Sequence, residues 1–445
     1  MTERSDAASG PPESSVTADT DKNDHEGRVV HRASLREPGS GTSAAAGPPE
    51  SSLAAGTDKN GRRGGVVHRF LPSPDSRLGR FIRRVQPDEA NFRSPAHHEK
   101  VTARLGLWLG VAFLLCFLTG LLSHLIQHPP AWFGWPARPA NLYRITQGIH
   151  VISGVAAVPL LFAKLWSVYP KLFSRPVIRS LPHALERLSI LVLAGAAFFE
   201  LTTGIFNVAQ NYPWAFYFPA AHYAVAWIAF GSVVLHVAVK LPIIRRALAT
   251  PVDPARRSFL RTGFLATGAA VVATAGVTVP LLRDVSPLSW RSDRGPQGLP
   301  VNRTANAARV TADPAWRLEI VTRTGITRLS RTQLADLPQR TADLPIACVE
   351  GWSQSATWTG VPIADLLALI GAPPGSEVRV TSLERRGAYR VSTLPGSHTR
   401  DPDTLLALRL NGETLALDHG FPARIIAPSR PGVLQTKWVH RLEVL

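Results

Sequence analysis

The 445-residue sequence is poor in thiols and in acids: it has two cysteines, one methionine, and 32 Asp and Glu against 49 Lys and Arg. Cys116 lies in an apolar run and Cys348 in a stretch of quite different character, so a disulfide framework is not expected. Zinc and iron–sulfur sites built from four cysteines are excluded by the count alone. No apolar core follows Met1, so the chain does not open on a signal peptide. The excess of bases gives a formal net charge of +17. These bases stand in the N-terminal tail and beside apolar segments, with few aromatics between them. That is the pattern of positive-inside membrane topology, and no nucleic-acid partner is expected.

Residues 1–95 are rich in Gly, Pro, Ser, Asp and Arg, too polar to offset the entropy of ordering, and read as a disordered cytosolic tail. The tail holds a 23-residue duplication, GPPESSVTADTDKNDHEGRVVHR at 10–32 and GPPESSLAAGTDKNGRRGGVVHR at 47–69. A period seen only twice is not a solenoid. Four apolar segments follow near 104–126, 145–167, 187–208 and 218–240, with a weaker fifth near 260–282. Each has roughly the ~20 residues that cross a bilayer as a helix. Arg80, Arg83, Arg84 and Arg104 precede the first. Lys164, Lys171, Arg175, Arg179 and Arg187 lie at the second connection, and Lys240, Arg245, Arg246, Arg256, Arg257 and Arg261 at the fourth. The alternate connections carry only Arg138. The N-terminus is therefore expected in the cytosol and residues after 284 outside the cytoplasmic membrane, in the periplasmic or extracellular space.

The division expected is a four-helix membrane domain over 98–245, a fifth helix within 250–283, a linker over 284–300, and a C-terminal domain over 301–445. Arg256-Arg257-Ser258-Phe259-Leu260-Arg261 with the apolar stretch behind it resembles a twin-arginine export signal, which implies the twin-arginine export machinery as a partner. Ala273-Thr274-Ala275 is a candidate cleavage site, or the helix stays as an anchor. In the C-terminal domain, short alternating runs at 316–321 and 377–380 read as strands and 362–370 as a short amphipathic helix. The whole is an α-helical transmembrane bundle followed by a β-rich α+β domain.

Histidines in apolar helices are costly unless they have a partner. His222 and His236 are 14 residues apart on the fourth helix. At ~100° and ~1.5 Å per residue they share nearly one face, ~21 Å apart. His150 on the second helix sits at the level of His222, and the pair is suited to hold a haem b iron. Glu200 in the third helix suggests a proton path, a quinone pocket or a carboxyl bonded to a neighbouring helix. Cys116 at the matching place in the first helix reads as a small apolar residue. The simpler alternative is that the histidines are packing groups of a haem-free anchor.

The first two helices also repeat in the next two: RLGLW at 104–108 with RLSIL at 187–191, LTG at 118–120 with TTG at 202–204, and QGIHVISG at 147–154 with PAAHYAVA at 219–226. On these motifs the unit resembles the b-type cytochrome subunits of formate dehydrogenases and hydrogenases and the bacterial cytochrome b561 group. The resemblance implies haem b, with His150, His222 and His236 as iron ligands and Arg144 near a propionate. It departs from the family at Leu107, where a ligand histidine is usual, and at Lys164, the counterpart of His236. His97, His98 or His183 are then the candidates to partner His236.

A lone thiolate outside the helices fits a transition metal whose other sulfur ligands come from a cofactor. Around it stand Cys348-Val349-Glu350-Gly351-Trp352, Trp358-Thr359-Gly360-Val361-Pro362, and Gly387-Ala388-Tyr389 with Ser392. Further on come Asp403-Thr404-Leu405-Leu406, Asn411-Gly412-Glu413, His419-Gly420-Phe421-Pro422-Ala423-Arg424, and Lys437-Trp438-Val439. These resemble the sulfite-oxidase-like molybdopterin domains, most of all the group of the periplasmic methionine-sulfoxide reductase catalytic subunit. The resemblance implies molybdenum on a pterin dithiolene with Cys348 as protein ligand. It implies a pterin contact at Asn302 and a pterin or phosphate lining from Ser392, His419, Arg424, Ser429, Arg430 and Lys437. The substrate pocket would be near Trp352, Tyr389 and His398. Val349-Glu350 stands where true sulfite oxidases have Gly-Asn-Arg-type residues, which counts against sulfite oxidation.

The expected function is two-electron oxygen-atom chemistry at molybdenum, acting on a small oxidised or reduced substrate and exchanging electrons with the membrane quinone pool through haem b. No obligate soluble subunit is evident. The alternatives are a sulfite-type dehydrogenase running oxidatively, an exported binding domain on a haem-free anchor, and a plain transmembrane electron conduit.

Overall fold

The computed structural model describes residues 76–77, 92–173, 180–289 and 295–445. The duplicated tail and Arg80, Arg83, Arg84, Arg175 and Arg179 lie outside the described residues. Five long helices come first: α1 (Glu99–Gln127), α2 (Leu142–Val168), α3 (Leu181–Val208), α4 (Phe218–Ala249) and α5 (Pro254–Ala275). All five are long and apolar enough to cross a membrane. Their starts follow from local chemistry. The His98 ring accepts the Lys100 N–H at 3.1 Å, and Ser180 caps α3 by accepting from His183 N. Proline at the start of α5, after Asp253, fits the first turn.

The helices bury little and leave large apolar side chains such as Trp108, Leu191 and Val237 exposed, as lipid-facing surfaces do. Val101, Leu105 and Leu109 of α1 meet Ala157, Leu160 and Leu161 of α2, with Ala197 of α3 and Leu260 of α5 against them. Small residues allow close approach: a Cβ on Gly263 would lie 3.8 Å from Ala163 and Leu105.

Helix α5 lies nearly two turns earlier than the hydropathy run implies, because Pro254 opens it and Gly276 closes it, before Pro280. The expected linker does not run free from 284. Ser286 Oγ donates to Val272 O (2.6 Å), Leu288 N donates to Ala273 O (2.8 Å), and Gly276 N donates to Ser286 Oγ (2.8 Å). Ala275 is buried, and Val277 O accepts from Ser353 N at 2.9 Å. Cleavage after Ala275 would cut through this packed junction. The protein recovered from membranes is therefore expected to be one uncleaved chain; a C-terminal fragment beginning at Gly276, found by mass spectrometry, would contradict this.

The C-terminal domain has two five-stranded sheets. Its elements are β1 (Arg317–Thr322), β2 (Gly325–Ser330), α6 (Arg331–Asp336), β3 (Arg340–Ala347), β4 (Ser353–Pro362), α7 (Ile363–Leu369), β5 (Val378–Ser382), β6 (Val391–Leu394), β7 (Leu405–Leu410), β8 (Glu413–Thr414), β9 (Arg424–Ile426) and β10 (Val439–Val444). One sheet runs β2-β1-β10-β5-β6, with β1 and β10 parallel; the other runs β3-β4-β7-β8, and β9 pairs with β7. Strand period two puts Leu318 and Ile320 inside and Arg317 and Glu319 outward. Leu318 and Ile320 pack with Leu366 and Leu367 of α7 and with Val378 and Val380 of β5. Gly360 is required where β4 crosses β7, since a Cβ there would lie 2.1 Å from Leu406 O. The second sheet delivers Cys348 directly after β3.

Candidate functional site

Cys348 stands in a tight turn between β3 and β4. Its N–H donates to Trp352 O (2.9 Å) and its carbonyl accepts from Gly351 N (3.0 Å). Gly351 has φ +93°, a conformation open to glycine. The thiol is buried, with Cys348 1% exposed and outside any disulfide. A second loop passes behind it: a Cβ on Gly432 would lie 3.5 Å from Cys348 Cα, and Ala347 bridges Pro431.

Three cations converge in this half of the domain. Arg424 is 3% exposed and donates to His419 O (3.0 Å) and Gln435 O (3.3 Å), with its guanidinium 5.0 Å from the centre of the Trp358 ring. Arg430 donates to Leu434 O (3.0 Å) and Thr393 O (2.7 Å). Lys437 Nζ donates to Arg303 O (2.9 Å) and Asp418 O (2.8 Å). All of these bonds go to carbonyls, and no carboxylate forms an ion pair with any of the three among the described residues. Burial lowers Arg424 to about 9 and Arg430 to about 10. Burial, with the Arg424 charge beside it, lowers Lys437 to about 7. Arg424 Nε and Gln435 Oε1 have no hydrogen-bond partner. Arg424 and Arg430, buried on carbonyls alone, carry an uncompensated charge that an anionic phosphate would satisfy, and the half-buried Lys437 adds a third positive charge beside Asp418 and Glu350. A buried thiol, an electropositive cradle and unpaired buried polar atoms together fit a phosphate-bearing, sulfur-chelated metal cofactor.

The cradle has a pH signature. A base whose pKa falls on folding binds its proton more weakly in the folded chain and so opposes folding. For Lys437 the penalty is complete below pH about 7 and fades as pH rises toward 10.5. Without cofactor, the midpoint of thermal unfolding should therefore contain a component that rises through that window. Lys437→Met should remove it. An unchanged pH profile in the variant would refute this reading of the cradle.

The other expected residues divide clearly. His419 Nε2 pairs with Pro296 O at 2.6 Å, and burial with the nearby Arg424 lowers its pKa to about 4. His398 is buried and likewise falls to about 4, first through burial and then through Arg430. Ser392 Oγ pairs with Thr436 Oγ1 (2.8 Å), and Asn302 sits next to Arg303, whose carbonyl takes the Lys437 bond. Ser429 is turned to the helices: Trp135 Nε1 donates to its carbonyl (2.7 Å) and its hydroxyl (3.0 Å). Trp352 is buried beside Glu350, to which its Nε1 donates at 3.3 Å. Tyr389 donates from its hydroxyl to Gln127 Oε1 of α1 at 2.7 Å, and burial raises it to about 12.

The Cys348 turn rests on the helix ends. Val349 O accepts from Asn207 (3.0 Å) and Gln147 (3.4 Å), and Glu350 accepts from Gln210. A Cβ on Gly351 would come within 3.1 Å of Val151 and 3.2 Å of Val208. The α1–α2 connection is clamped as well, with Arg138 donating to both Asp401 oxygens (2.7 and 2.9 Å) and pairing with Asp403.

One cavity of about 2270 Å³ runs between the helices and includes His150, His222, His236, Glu200 and Cys116 in its wall. Its upper end is bounded by Val349, Glu350 and Tyr389. The repeat noted in the sequence is also a repeat in space. His150 Nδ1 lies 2.8 Å from Cys116 O and 3.5 Å from Thr119 Oγ1, with a Cβ on Gly120 only 2.9 Å from its ring. His222 Nδ1 lies 2.9 Å from Thr203 Oγ1, with Gly204 against its ring. The two differ at one position: Cys116 Sγ is 3.6 Å from His150 Nδ1, whereas Glu200 pairs with His222 Nε2 at 3.1 Å.

Three of the residues named for the haem stand outside the cavity wall. Arg144 is not in the cavity wall; it donates to Ser355 Oγ (3.1 Å) and Asn141 Oδ1 (3.3 Å), because it faces the C-terminal domain. His98 is used as a helix cap, and His97 packs against Phe92 and Trp166, which leaves only His183 of the proposed partners on the wall with His236. Gln127, Gln147, Asn207 and Gln210 escape a reading by motif, although amides at the ends of apolar helices are a visible signal.

Residues 305–445 match the family model described as oxidoreductase molybdopterin binding domain. This third of the chain is a sulfite-oxidase-like molybdopterin-binding domain. Sulfite oxidase of Arabidopsis thaliana is 35% identical over 113 residues, covering 21% of this chain and 29% of the relative. A protein of Azospira oryzae named for a protein-methionine-sulfoxide reductase subunit, YedZ1, is 31% identical over 112 residues, covering 25% of this chain and 42% of that protein. The chain thus spans less than half the length of either relative. Among solved structures, the sulfane dehydrogenase SoxCD of Paracoccus pantotrophus aligns over 30% of this chain and 39% of its own at a TM-score of 0.27 and 24% identity.

Proposed function

We propose that the chain is a self-contained membrane oxidoreductase in which Cys348 holds molybdenum and His150 and His222 hold a haem b. The observation that carries this reading is the seat of the Cys348 turn on Asn207, Gln147, Val151 and Val208, one residue from His150. The two residues after Cys348, Val349 and Glu350, line the helical cavity, which supports direct electron exchange without a mobile carrier. His150 fits an iron ligand, since its Nδ1 is engaged by Cys116 O and no hydrogen bond takes its Nε2 among the described residues. His222 needs an exchange, because Glu200 occupies its Nε2. His236 and Lys164 share the cavity wall but differ in ligand chemistry, which favours one haem over two.

When bound, molybdenum supplies two-electron oxygen-atom chemistry and haem supplies one-electron exchange with the quinone pool. Arg424, Arg430 and Lys437 would hold the pterin phosphate, with Ser392, His419 and Asn302 beside it, whereas Ser429 is taken up by Trp135 and Ala140. Trp352 and Tyr389 would be the side chains nearest the substrate. The preferred direction is reduction of an oxide: one sulfoxide and one quinol give one thioether, one quinone and one water, with the quinol supplying both electrons and both protons. The catalytic domain lies outside the cytoplasmic membrane and the N-terminus in the cytosol, by the charge pattern of the connections. Arg256 and Arg257 then address the chain to the twin-arginine machinery.

Metal and haem analysis of the purified full chain tests this. One molybdenum and one haem per chain, with the haem reduced by quinol and re-oxidised by substrate, is the expected result. A chain without molybdenum would leave an anchored binding domain, and molybdenum without haem would require another electron route.

A further inference from the structure

The cavity between the helices is larger than one haem site requires. A single small-molecule site takes about 300–1,000 Å³. The cavity here measures about 2270 Å³. His150 and His222 belong to its outer half, below the Cys348 turn. Lys164 stands 14 residues beyond His150 on α2, ~21 Å along the axis. A haem at His150 therefore leaves the inner half to another occupant. That half ends where the charge pattern of the connections puts the cytosol. Leu161, Ile190 and Val233 wall it with apolar side chains, and Lys164, His183 and His236 stand at its inner end.

Lys164 turns into the bundle. Its Nζ donates to Thr102 O at 2.7 Å and lies against α1 at Gly106, where a Cβ would come within 2.8 Å of it. Gly106 is the gap that admits the ammonium. The two acids at this end are paired elsewhere, Glu186 with Lys240 and Glu99 with Lys171 (4.0 Å). Lys164 forms no ion pair with a carboxylate among the described residues. Four cations of the inner wall (Lys164, Lys171, Arg187 and Lys240) stand against two acids (Glu99 and Glu186), so positive charge is in excess. The charges of Lys164 and Lys240 also act on His236. A cation within an apolar bundle, held on one carbonyl, is costly. A neutral occupant would leave that charge uncompensated, whereas an anionic headgroup would offset it. The apolar wall further out suits a long tail and not a free ion.

We infer that the inner half of the cavity is a site for an anionic phospholipid of the cytosolic leaflet. Its phosphate sits on Lys164, and an acyl chain runs outward along Leu161, Ile190 and Val233. Basic side chains attract the acidic lipids of that leaflet, and here one such side chain is turned inward by the space at Gly106. The lipid takes the room that a second haem would need.

Native mass spectrometry of the full chain in detergent, offered phosphatidylglycerol and phosphatidylcholine in equal amounts, tests this. One phosphatidylglycerol per chain should be retained over phosphatidylcholine by about tenfold. Lys164→Met should cut that preference by about fivefold, the worth of one cation beside an anionic headgroup. Lys100 donates to Pro251 O (3.0 Å) and stands outside the cavity wall, so Lys100→Met should keep the preference. No preference in the unaltered chain, an unchanged preference in Lys164→Met, or an equal loss in Lys100→Met would overturn the inference. Displacement of the lipid by an equal concentration of inorganic phosphate would reveal a bare anion site, and two haems per chain in place of the lipid would reveal a haem site; either result overturns it too. The measurement needs neither molybdenum nor turnover, so its failure is distinct from failure of the reading of Cys348.

Discussion

Cys348→Ser is expected to lower oxygen-atom turnover by on the order of 100-fold or more, beyond what loss of a supporting contact around a metal costs. The substitution removes one soft sulfur donor and leaves a hard oxygen of nearly the same size. The fold should tolerate it. Cys348 is placed by its main chain, through bonds to Trp352 O and from Gly351 N. The cradle of Arg424, Arg430 and Lys437 is untouched, so pterin should still be recovered with the protein. Turnover assayed with a small artificial reductant, alongside molybdenum and pterin content, checks this. Full activity in the variant would show that the C-terminal domain only docks a partner and that the helices form a plain conduit.

The second large effect belongs to His150→Ala. Quinol-driven turnover should fall to the background rate, with haem lost from the purified chain, while turnover driven by a small artificial reductant acting at the C-terminal domain should keep most of its rate. The split follows from the position of His150. It lies in the wall of the cavity, next to Val151, which meets the Cys348 turn at Gly351. Its own ring bonds go to Cys116 and Thr119 of α1 rather than to the domain, so it does not hold the turn in place. Retention of haem and of quinol-driven turnover would remove His150 from the electron route. Gly120 and Cys116, which shape its pocket, would then need another purpose.

Much of the fold is readable in the chain. The five apolar runs become five helices because length and composition settle whether a segment can cross a bilayer. β1 and β5 stand where period-two alternation puts them. The basic residues near the C-terminus can be linked to a phosphate by resemblance, but the burial of Arg424 and Arg430 without a carboxylate ion pair among the described residues is a property of the packed domain and cannot be read from spacing. The start of α5 is displaced because proline and aspartate outweigh hydropathy at a helix end. Arg144 departs from expectation for a related reason. On a helix end between two domains, sequence position does not decide which neighbour a long side chain takes. The docking of Cys348 on the helices is not legible at all, since it joins residues such as Gln147 and Val349 that only the tertiary fold brings together.

Strand β10 (Val439–Val444) fills the centre of its sheet, paired in parallel with β1 and antiparallel with β5. Until that strand has been synthesised, β1 and β5 face each other across an empty slot, and the loop-closure cost of bridging it falls on the last step of folding. The helices, by contrast, have left the ribosome long before. Insertion of the anchor therefore precedes completion of the domain it carries. Any delivery of a finished, metal-loaded domain across the bilayer must work on a chain already tethered at its other end.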